Sequence, residues 1–483
     1  MSELTTLLPK VKRWTEGKVF DELDNLRGHG DRATFKQLVF QLLMLKCVTT
    51  SNAFMGKMYS RLSSQAAPIR SYAHVVGRLS HLNQYLLLSD NSPFEPIPNM
   101  SFDDELVREL ASRIDALETN DPAKSPQLVF EHAVRWFARS EGRHGAESTT
   151  PESVANLLVE LAAPKRGAIL DPCCGYATLL IRAERFAKAR GIDALNLHGQ
   201  ESDAGVRKLA QMNLVANNVK ADLGNKAADS FTADFFPTLN ADFIIANPPF
   251  NAAGQATSDT GKRESLTPYA GNHNFAWVQH FIKHMAPGGL AVFTGPNGSL
   301  SGTLCGNGKF RERMVRADLV DCIIALPKGL FDGPNIPACI WILANNKSCT
   351  HLNGPNLRVR IGETLFIDAQ RSIKSSNRSK RFLDPEEISR IVNTYHAWNG
   401  LRPRIKYEDV PNFCRSATLE EIMAQGFFLS PNRYVESTGT ESGAESVEER
   451  IRQLKRDLGA QLTASTRLNA EISELLQGLS DET

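Results

Sequence analysis

The sequence predicts an α/β protein built on a doubly wound, mostly parallel sheet. The prediction rests on short apolar runs that alternate with amphipathic helical stretches from about residue 141 onward. Five of these runs have the length and composition of buried parallel strands. They are GAIL (167–170), LNLHG (195–199), ADFIIA (241–246), LAVFT (290–294) and DCIIAL (321–326). A sixth run, CIWILA (339–344), follows a connection too short for a crossover helix, so we expect it to be antiparallel to its predecessor.

Composition places the chain among ordinary globular proteins. It has 483 residues, 42% hydrophobic and 23% charged, which is enough for two or three domains with sizeable cores. The first residues, MSELTTLLPKVKRW, lack the apolar run of a secretory signal, and no stretch approaches the roughly 18 apolar residues that span a membrane. We therefore expect a cytoplasmic protein that makes no membrane contact.

Net charge and cysteine spacing bear on nucleic-acid contacts and on metal binding. A formal net charge of +1 provides no overall attraction to nucleic acid, so phosphate contacts would come from local patches or from a partner. One basic patch, RSIKSSNRSKR (371–381), is predicted to be an exposed loop that is either simply solvated or in contact with phosphate. The eight cysteines form no CxxC pair or Cys/His cluster, so we expect free thiols and no structural metal.

Three regions follow one another along the chain. Residues 1–125 are predicted to form a helical domain, because FKQLVFQLLMLKCV (35–48) is apolar nearly all round, as in a small bundle. The α/β domain is expected over 126–436 and a separate helical tail over 437–483.

The tail carries a coiled-coil-like stripe with alternating spacings of four and three residues. Its members are Val447, Ile451, Leu454, Leu458, Leu468, Ile472, Leu475 and Leu479, with Gln461 and Ser465 as a polar break. A stripe of this length favours a partner helix, and packing onto the chain's own domain is the alternative.

The first two strands are followed by residues suited to a nucleoside. DPCCGYATLL (171–180) supplies a turn with Gly175, which lets backbone approach a ligand, and then a helix N-terminus. Thirty residues after Asp171, Glu201 stands at the tip of the next strand, where a carboxylate can accept both hydroxyls of a ribose. The G-x-G-x-x-G pattern of dinucleotide sites is missing here, so hydride chemistry is not indicated.

The third strand ends in NPPF (247–250). The Asn247 amide oxygen and the Pro248 carbonyl offer two acceptors on a turn stiffened by Pro249, which suits the two hydrogens of an exocyclic amine. The Phe250 ring can stack on the base that carries the amine. A plain strand-ending turn is the alternative, since Asn and Pro are common turn residues.

Taken in order, these motifs resemble a known family. TTPESVANLLVEL, ILDPCCG, LHGQESDAGVRKLAQMNL, DFIIANPPF, APGGLAVFTGPNG and LPKGLF are similar to the amino-methylating, S-adenosylmethionine-dependent DNA methyltransferases. LDNLRGHGDRATFKQLVFQLLMLK and FFLSPNRYV resemble, more narrowly, the modification subunit of type I restriction-modification systems. The resemblance extends from about residue 20 to residue 435.

This resemblance implies a Rossmann-like class I methyltransferase domain, with a mostly parallel seven-stranded sheet and an antiparallel edge strand. It implies S-adenosylmethionine as cofactor, with Thr150 and Pro151 near its methionine end and Asp229 at its adenine amine. The implied cofactor-binding residues are Thr150, Pro151, Asp171, Pro172, Gly175, Glu201, Asp229 and Asn247. The implied catalytic residues, which would hold a flipped adenine for methyl transfer to N6, are Asn247, Pro248, Pro249 and Phe250.

The resemblance also implies partners. They are double-stranded DNA, a specificity subunit that serves two modification subunits, and an ATP-driven restriction subunit. The predicted tail, 437–483, is too short to form a module that reads a DNA sequence. We therefore expect a separate chain to recognise the target sequence. The long polar segment 251–274, with Lys262 and Arg263, is expected to close over the flipped base.

One position departs from the family pattern D-P-x-C-G-x-G: Ala177 stands where a second glycine is usual. Its methyl group is expected to crowd the cofactor or to force a different backbone angle. Two alternatives therefore stay open. One is a protein glutamine N5-methyltransferase, which shares the NPP motif but usually has Tyr after it, and the other is a DNA-clamping scaffold with an impaired cofactor site.

Overall fold

The computed structural model describes residues 149–250, 273–303, 307–331, 337–348, 357–370, 374–377 and 380–436, together with scattered helical residues within 39–43, 130–134 and 452–468. By its contacts the chain divides into two compact units, Met1–Val435 and Glu436–Thr483. Most of the predicted N-terminal domain and of the tail lies outside the described residues, so the domain boundaries stay predictions. Val39, Phe40, Leu42 and Leu43, from the predicted apolar helix, are helical and buried.

The described elements alternate between strand and helix as the sequence predicts. The strands are β1 (Gly167–Asp171), β2 (Leu195–Gly199), β3 (Ala241–Ala246), β4 (Met285–Pro296), β5 (Val320–Ala325), β6 (Ala338–Ala344), β7 (Glu363–Asp368), β8 (Lys374–Asn377), β9 (Lys380–Phe382) and β10 (Cys414–Thr418). The helices are α1 (Glu152–Ala162), α2 (Thr178–Lys188), α3 (Ala204–Ala216), α4 (His273–His284), α5 (Gly298–Ser301), α6 (Asn307–Arg316), α7 (Pro385–Trp398), α8 (Leu419–Ala424) and α9 (Asn432–Val435).

The central sheet has eight strands in the order β10-β7-β5-β6-β4-β3-β1-β2. β6 is antiparallel to its predecessor, as predicted, but it does not lie at an edge, because it pairs with both β4 and β5. All seven of its residues are buried, which suits an interior strand covered on both faces. The antiparallel edge strand is β10, whose polar sequence CRSAT gave no strand signal, so the expectation of seven strands was wrong.

Side chains on alternate strand positions build two cores, one on each face of the sheet. On β3, Phe243 and Ile245 join the core covered by α1, α2 and α7, whereas Ile244 and Ala246 join the core covered by α4 and α6. This alternation follows from the two-residue period of a strand. The sheet is therefore buried on both sides, as in other doubly wound proteins.

The basic patch was predicted to be a loop and contains instead a short antiparallel hairpin of β8 and β9. Its alternation of polar and basic residues lacks the apolar face that usually signals a strand. Within the described ranges, no helix combines the length and apolar character needed to cross a membrane.

Candidate functional site

The predicted site residues converge because three strands end at one edge of the sheet. β1 lies between β2 and β3 and is parallel to both, with Asp171 opposite Gly199 and Leu170 opposite Ile244. The segments after these strands therefore emerge side by side. The chain crosses from one side of β1 to the other between β2 and β3, which is where open α/β sheets bind ligands.

Gly175 and Glu201 contact each other directly. Gly175 has a φ of 53°, and its N–H donates to Glu201 Oε2 at 3.0 Å. Glu201 Oε1 accepts hydrogen bonds from the Asp203 N–H at 2.9 Å and from the Ser202 hydroxyl at 3.2 Å. Burial raises the pKa of Glu201, although these hydrogen bonds oppose the shift. A carboxylate oxygen accepts two hydrogen bonds, so Oε2 has the capacity to take a ribose hydroxyl as well.

Asp171 is buried at the end of β1. Its Oδ1 accepts from the Cys173 N–H at 3.3 Å, and its backbone carbonyl accepts from the Gln200 N–H at 3.0 Å. Burial raises the pKa of Asp171 to about 7, and the nearby Glu201 carboxylate adds to the shift. The backbone hydrogen bond between Gln200 and Asp171 thus joins the end of β1 to the end of β2.

A buried amide that the sequence analysis did not single out holds the Asp229 segment in place. Gln200 Nε2 donates to the carbonyls of Ala228 at 3.1 Å and Ala233 at 2.7 Å, and its Oε1 accepts from the Phe235 N–H at 3.1 Å. These contacts bring the segment that contains Asp229 against the end of β2. The only sequence signal was a polar residue directly after a buried strand.

Pro172 completes this link from the other side. Its carbonyl accepts a hydrogen bond from the buried Ser230 hydroxyl at 2.6 Å. Asp229 itself accepts from the Phe231 N–H at 2.8 Å, which shapes a tight turn. The turns that follow β1 and β2 therefore meet the Asp229 turn at one place, as a nucleoside site requires.

Ala177 occupies the left-handed conformation that the missing glycine would favour. It has φ 60° and ψ 24°, is fully buried, and stands directly before α2. Its N–H donates to the Cys174 carbonyl at 2.8 Å, and its carbonyl accepts from the Ile181 N–H at 3.0 Å. The left-handed region costs a non-glycine residue about 1–2 kcal/mol. Ala177 therefore adopts the backbone conformation that a glycine would favour, at the cost of this strain.

Thr150 and Pro151 lie at the start of α1. The Pro151 carbonyl accepts from the Ala155 N–H at 2.9 Å, and Thr150 lines a small cavity with Tyr176 and Thr178. Thr150 therefore borders the segment that joins the Gly175 turn to α2. Neither residue forms a hydrogen bond to Asp171 or Glu201 among those described.

Asn247 lies immediately after β3, beside the nucleoside residues. Its Oδ1 accepts a hydrogen bond from the hydroxyl of Thr294, a fully buried residue on β4 that the sequence analysis missed. An amide oxygen accepts two hydrogen bonds, so Oδ1 can take one more donor. The sequence offered no reason to select Thr294, because this residue lies at the end of the apolar run LAVFT. It meets Asn247 only through the pairing of β3 with β4.

Pro248 and Phe250 line a narrow, mostly apolar cleft with Phe275, Thr294 and Trp341. Pro248 is buried, and the Phe250 ring is partly buried, edge-on to Phe331 at a centroid distance of 5.8 Å. The expected closing segment 251–274, with Lys262 and Arg263, lies outside the described residues apart from its last two positions in α4.

These groups can bind a cationic nucleoside and present an amine to it. Glu201 offers hydroxyl acceptors, the Gly175 turn gives backbone access, and Asn247 and Pro248 offer amine acceptors at the adjacent strand end. The residues present therefore fit S-adenosylmethionine.

Comparison with known proteins identifies the family of this chain. A family model described as N-6 DNA methylase matches residues 127–442. The chain is 37% identical over 359 residues to the type I restriction enzyme HindI methylase subunit of Haemophilus influenzae, covering 73% of this chain and 78% of that protein. It is 30% identical over 364 residues to the MjaIX methylase subunit of Methanocaldococcus jannaschii, covering 73% of this chain and 62% of that protein.

A solved structure gives the same fold. The methyltransferase subunit of a type I restriction-modification system from Streptococcus thermophilus superposes with a TM-score of 0.66 at 21% identity, covering 88% of this chain and 99% of that one. The mixed sheet is thus that of a class I methyltransferase. From the matched model and these relatives, the chain belongs to the N-6 DNA methylase family.

Proposed function

We propose that this chain methylates N6 of adenine in DNA with S-adenosylmethionine, as the modification subunit of a type I restriction-modification system. The observation that carries the proposal is the position of Asn247 and Pro248 beside a built nucleoside site, at the carboxyl ends of neighbouring parallel strands. Membership of the N-6 DNA methylase family supports the same chemistry.

Four groups would hold the cofactor. Glu201 accepts the ribose hydroxyls, the Gly175 turn approaches the ribose and methionine, Asp229 accepts the adenine amine, and Thr150 with Pro151 borders the methionine end. Asp171 and Pro172 connect β1 to the Gly175 turn and would hold that turn in place. When bound, S-adenosylmethionine supplies an electrophilic methyl group.

The target amine is held by acceptors. The Asn247 amide oxygen and the Pro248 carbonyl take the two hydrogens of the adenine N6 amine, so that the nitrogen lone pair is directed away from the ring plane. Pro249 keeps the turn stiff, and the Phe250 ring stacks on the base. Flipping the base out of the duplex costs a few kcal/mol, which this stacking helps to offset. As the N6 nitrogen bonds to the methyl carbon, the bond from that carbon to the cofactor sulfur would break, and one amine proton would leave to water.

The partners are part of the proposal. The relatives are named as methylase subunits of type I restriction enzymes, which suggests that a separate specificity subunit reads the DNA sequence. We expect two modification subunits for each specificity subunit and an ATP-driven restriction subunit in the complete assembly. The tail offers a binding surface for the specificity subunit, because the described leucines of its stripe, Leu458 and Leu468, are each 57% exposed.

The two alternatives have less support. Phe250 follows the prolines where glutamine methyltransferases usually have Tyr, and the matching family model is described as N-6 DNA methylase. The impaired-site alternative rested on Ala177, whose backbone keeps the left-handed turn.

The test separates cofactor binding from methyl transfer. Titration calorimetry with S-adenosylmethionine is expected to show binding that Glu201→Ala weakens by roughly tenfold to a hundredfold, the value of a lost charge-assisted hydrogen bond. Asn247→Ala is expected to bind the cofactor as the natural chain does, yet to lose methyl transfer to DNA when assembled with its specificity subunit. Asn240→Ala, an exposed asparagine seven residues earlier, is the matched control. Full transfer by Asn247→Ala would contradict the proposed role.

A further inference from the structure

A second group of ligating side chains lies outside the cofactor site. His280 and His284 are four residues apart on α4 and so share one face of the helix, and Asp234 reaches them from the segment between Asp229 and β3. One ligand atom from each of the three lies within 4.8 Å of the other two. His280 is 9% exposed and His284 is fully buried.

The hydrogen bonds of His284 call for a positive charge at this place. Its Nδ1 lies 3.2 Å from the Leu239 carbonyl oxygen, and its Nε2 lies 2.9 Å from Asp234 Oδ2. A carbonyl can only accept, so Nδ1 carries the hydrogen. In a neutral ring Nε2 would then point its lone pair at a carboxylate oxygen. Either a second proton or a cation must therefore lie between His284 and Asp234.

The groups around Asp234, His280 and His284 suit each of these side chains to bind a metal ion. The Leu239 carbonyl fixes the tautomer that leaves Nε2 for a metal, and the Phe236 N–H holds Asp234 Oδ1 at 3.0 Å, which orients Oδ2. The His280 ring lies beside the His284 ring, with a centroid distance of 4.6 Å, so both imidazoles face Asp234 from one side of α4.

The distances are close to those of a tetrahedral site. Zinc bonds of about 2.0–2.1 Å place neighbouring ligand atoms roughly 3.3 Å apart. The 2.9 Å between His284 Nε2 and Asp234 Oδ2 is near this value, and the His280 ring needs to move by only about 1.5 Å from the outer limit of 4.8 Å.

Lys283 is the group that opposes a cation here. Its Nζ lies 3.3 Å from Asp234 Oδ2, and its side chain is 40% exposed. An exposed lysine can turn into solvent, so it competes with a cation without blocking it. Removing the lysine charge should therefore increase the affinity for a metal ion.

We propose that Asp234, His280 and His284 bind a zinc ion or a similar divalent transition metal, with water in the fourth position. Two imidazoles and one carboxylate are a usual zinc ligand set. The metal would link the end of α4 to the segment 234–239. The Phe231 ring packs on Trp277 of α4 at a centroid distance of 4.4 Å. The bound metal would therefore also stabilise the Asp229 turn, on the adenine side of the cofactor site.

The test is metal binding by the whole chain. After equilibration with Zn²⁺ and dialysis, we expect about one zinc per chain by elemental analysis, and tetrahedral d–d absorption when Co²⁺ replaces zinc. His280→Gln and Asp234→Asn are expected to weaken binding by roughly tenfold or more. Lys283→Met, at a neighbouring surface position, is expected to tighten it. Circular dichroism melts would establish that each variant is folded.

Three results would overturn the proposal. They are a natural chain that retains no zinc, a folded His280→Gln variant that retains as much as the natural chain, and a Lys283→Met variant whose affinity is unchanged. The first result would leave a proton between His284 and Asp234, and the other two would place the bound ion elsewhere.

Discussion

Asn247 shows how a residue's chemistry depends on a neighbour far away in the chain. An asparagine amide can present oxygen or nitrogen to a ligand, and only the oxygen accepts an amine hydrogen. The Thr294 hydroxyl, buried on β4, donates to that oxygen and so fixes which end of the amide faces β4. In the proposed mechanism Thr294 would act on the target amine through Asn247, as a positioning residue.

We therefore expect Thr294→Val to slow methyl transfer by roughly threefold to tenfold, since one neutral hydrogen bond contributes about 1 kcal/mol. Thr294→Ser, which keeps the hydroxyl, should retain most of the rate. The measurement is single-turnover methylation by the assembled complex, with S-adenosylmethionine affinity measured in parallel and expected to stay unchanged. Equal rates for the valine and serine variants would show that the hydroxyl does not position the amide.

Asp171 predicts a pH dependence of stability. Burial raises its folded-state pKa to about 7, above the ordinary value of 3.8 for an aspartate. A carboxyl with a raised pKa keeps its proton longer in the folded chain, so the stability present at low pH is lost as the pH rises toward 7. Asp171→Asn removes this titration. The free energy of unfolding of the natural chain, relative to that variant, should fall by on the order of 2 kcal/mol from pH 5 to pH 7 and then level off.

Chemical denaturation of both chains at a series of pH values measures this difference. The variant needs no cofactor or partner, so the experiment is independent of activity. A difference that is constant from pH 5 to pH 8 would mean that the buried carboxyl is already ionised at the lower value.

Between elements, a buried charge network joins β5, the segment before β7 and α7. Arg360 donates to Asp321 at 2.7 and 3.2 Å, and the Tyr395 hydroxyl of α7 donates to the same carboxylate at 2.7 Å. Burial alone would raise the pKa of Asp321, but the charges of Arg360 and Lys347 outweigh it and lower that pKa. The carboxylate is therefore ionised and depends on Arg360 for compensation.

Arg360→Leu is expected to lower the free energy of unfolding by about 3–5 kcal/mol, because it leaves a buried carboxylate without its partner. Arg358→Leu is the matched control two residues earlier. Its pair with Glu363 is partly exposed, so the change should be about 1 kcal/mol or less. Urea unfolding at pH 7 measures both. Equal losses would indicate that Arg360 contributes through packing more than through its charge.

At the scale of the whole molecule, the chain consists of an α/β unit that carries the site and a tail unit that carries an apolar stripe. The described tail residues are helical, and Leu458 and Leu468 of the predicted stripe are each 57% exposed. Exposed leucines at coiled-coil spacing are typical of a surface that meets another helix. We take the specificity subunit as that partner.

Leu458→Glu is then expected to abolish co-purification with the co-expressed specificity subunit, because a charge in the stripe is not tolerated in a helix interface. Leu462→Glu, which is equally exposed but one residue off the stripe, should keep the partner. Both variants should bind S-adenosylmethionine normally. Loss of the partner in both variants would mean that the stripe does not define the interface.

The sequence by itself determined the strands of the site. β2 and β3 begin and end at the predicted residues, Asp171 ends β1, and Gly175, Glu201 and Asn247 follow β1, β2 and β3 as expected, because apolar runs and turn residues are local signals. The family resemblance followed from the same motifs. The edge strand β10 was missed because its polar sequence has no apolar period, and the interior place of β6 was missed because strand order is not local.

Only the tertiary structure decided which distant side chains complete the site. The Gln200 side chain reaches the Asp229 segment 28 positions away, and the pairing of β3 with β4 brings Thr294 to Asn247, 47 positions away. Ala177 could be judged only from its backbone angles, because a methyl group is compatible with a left-handed turn when the surrounding hydrogen bonds hold it. Sequence patterns report local periodicity and turn chemistry, whereas a hydrogen bond between strands depends on register, and register is settled when the whole sheet packs.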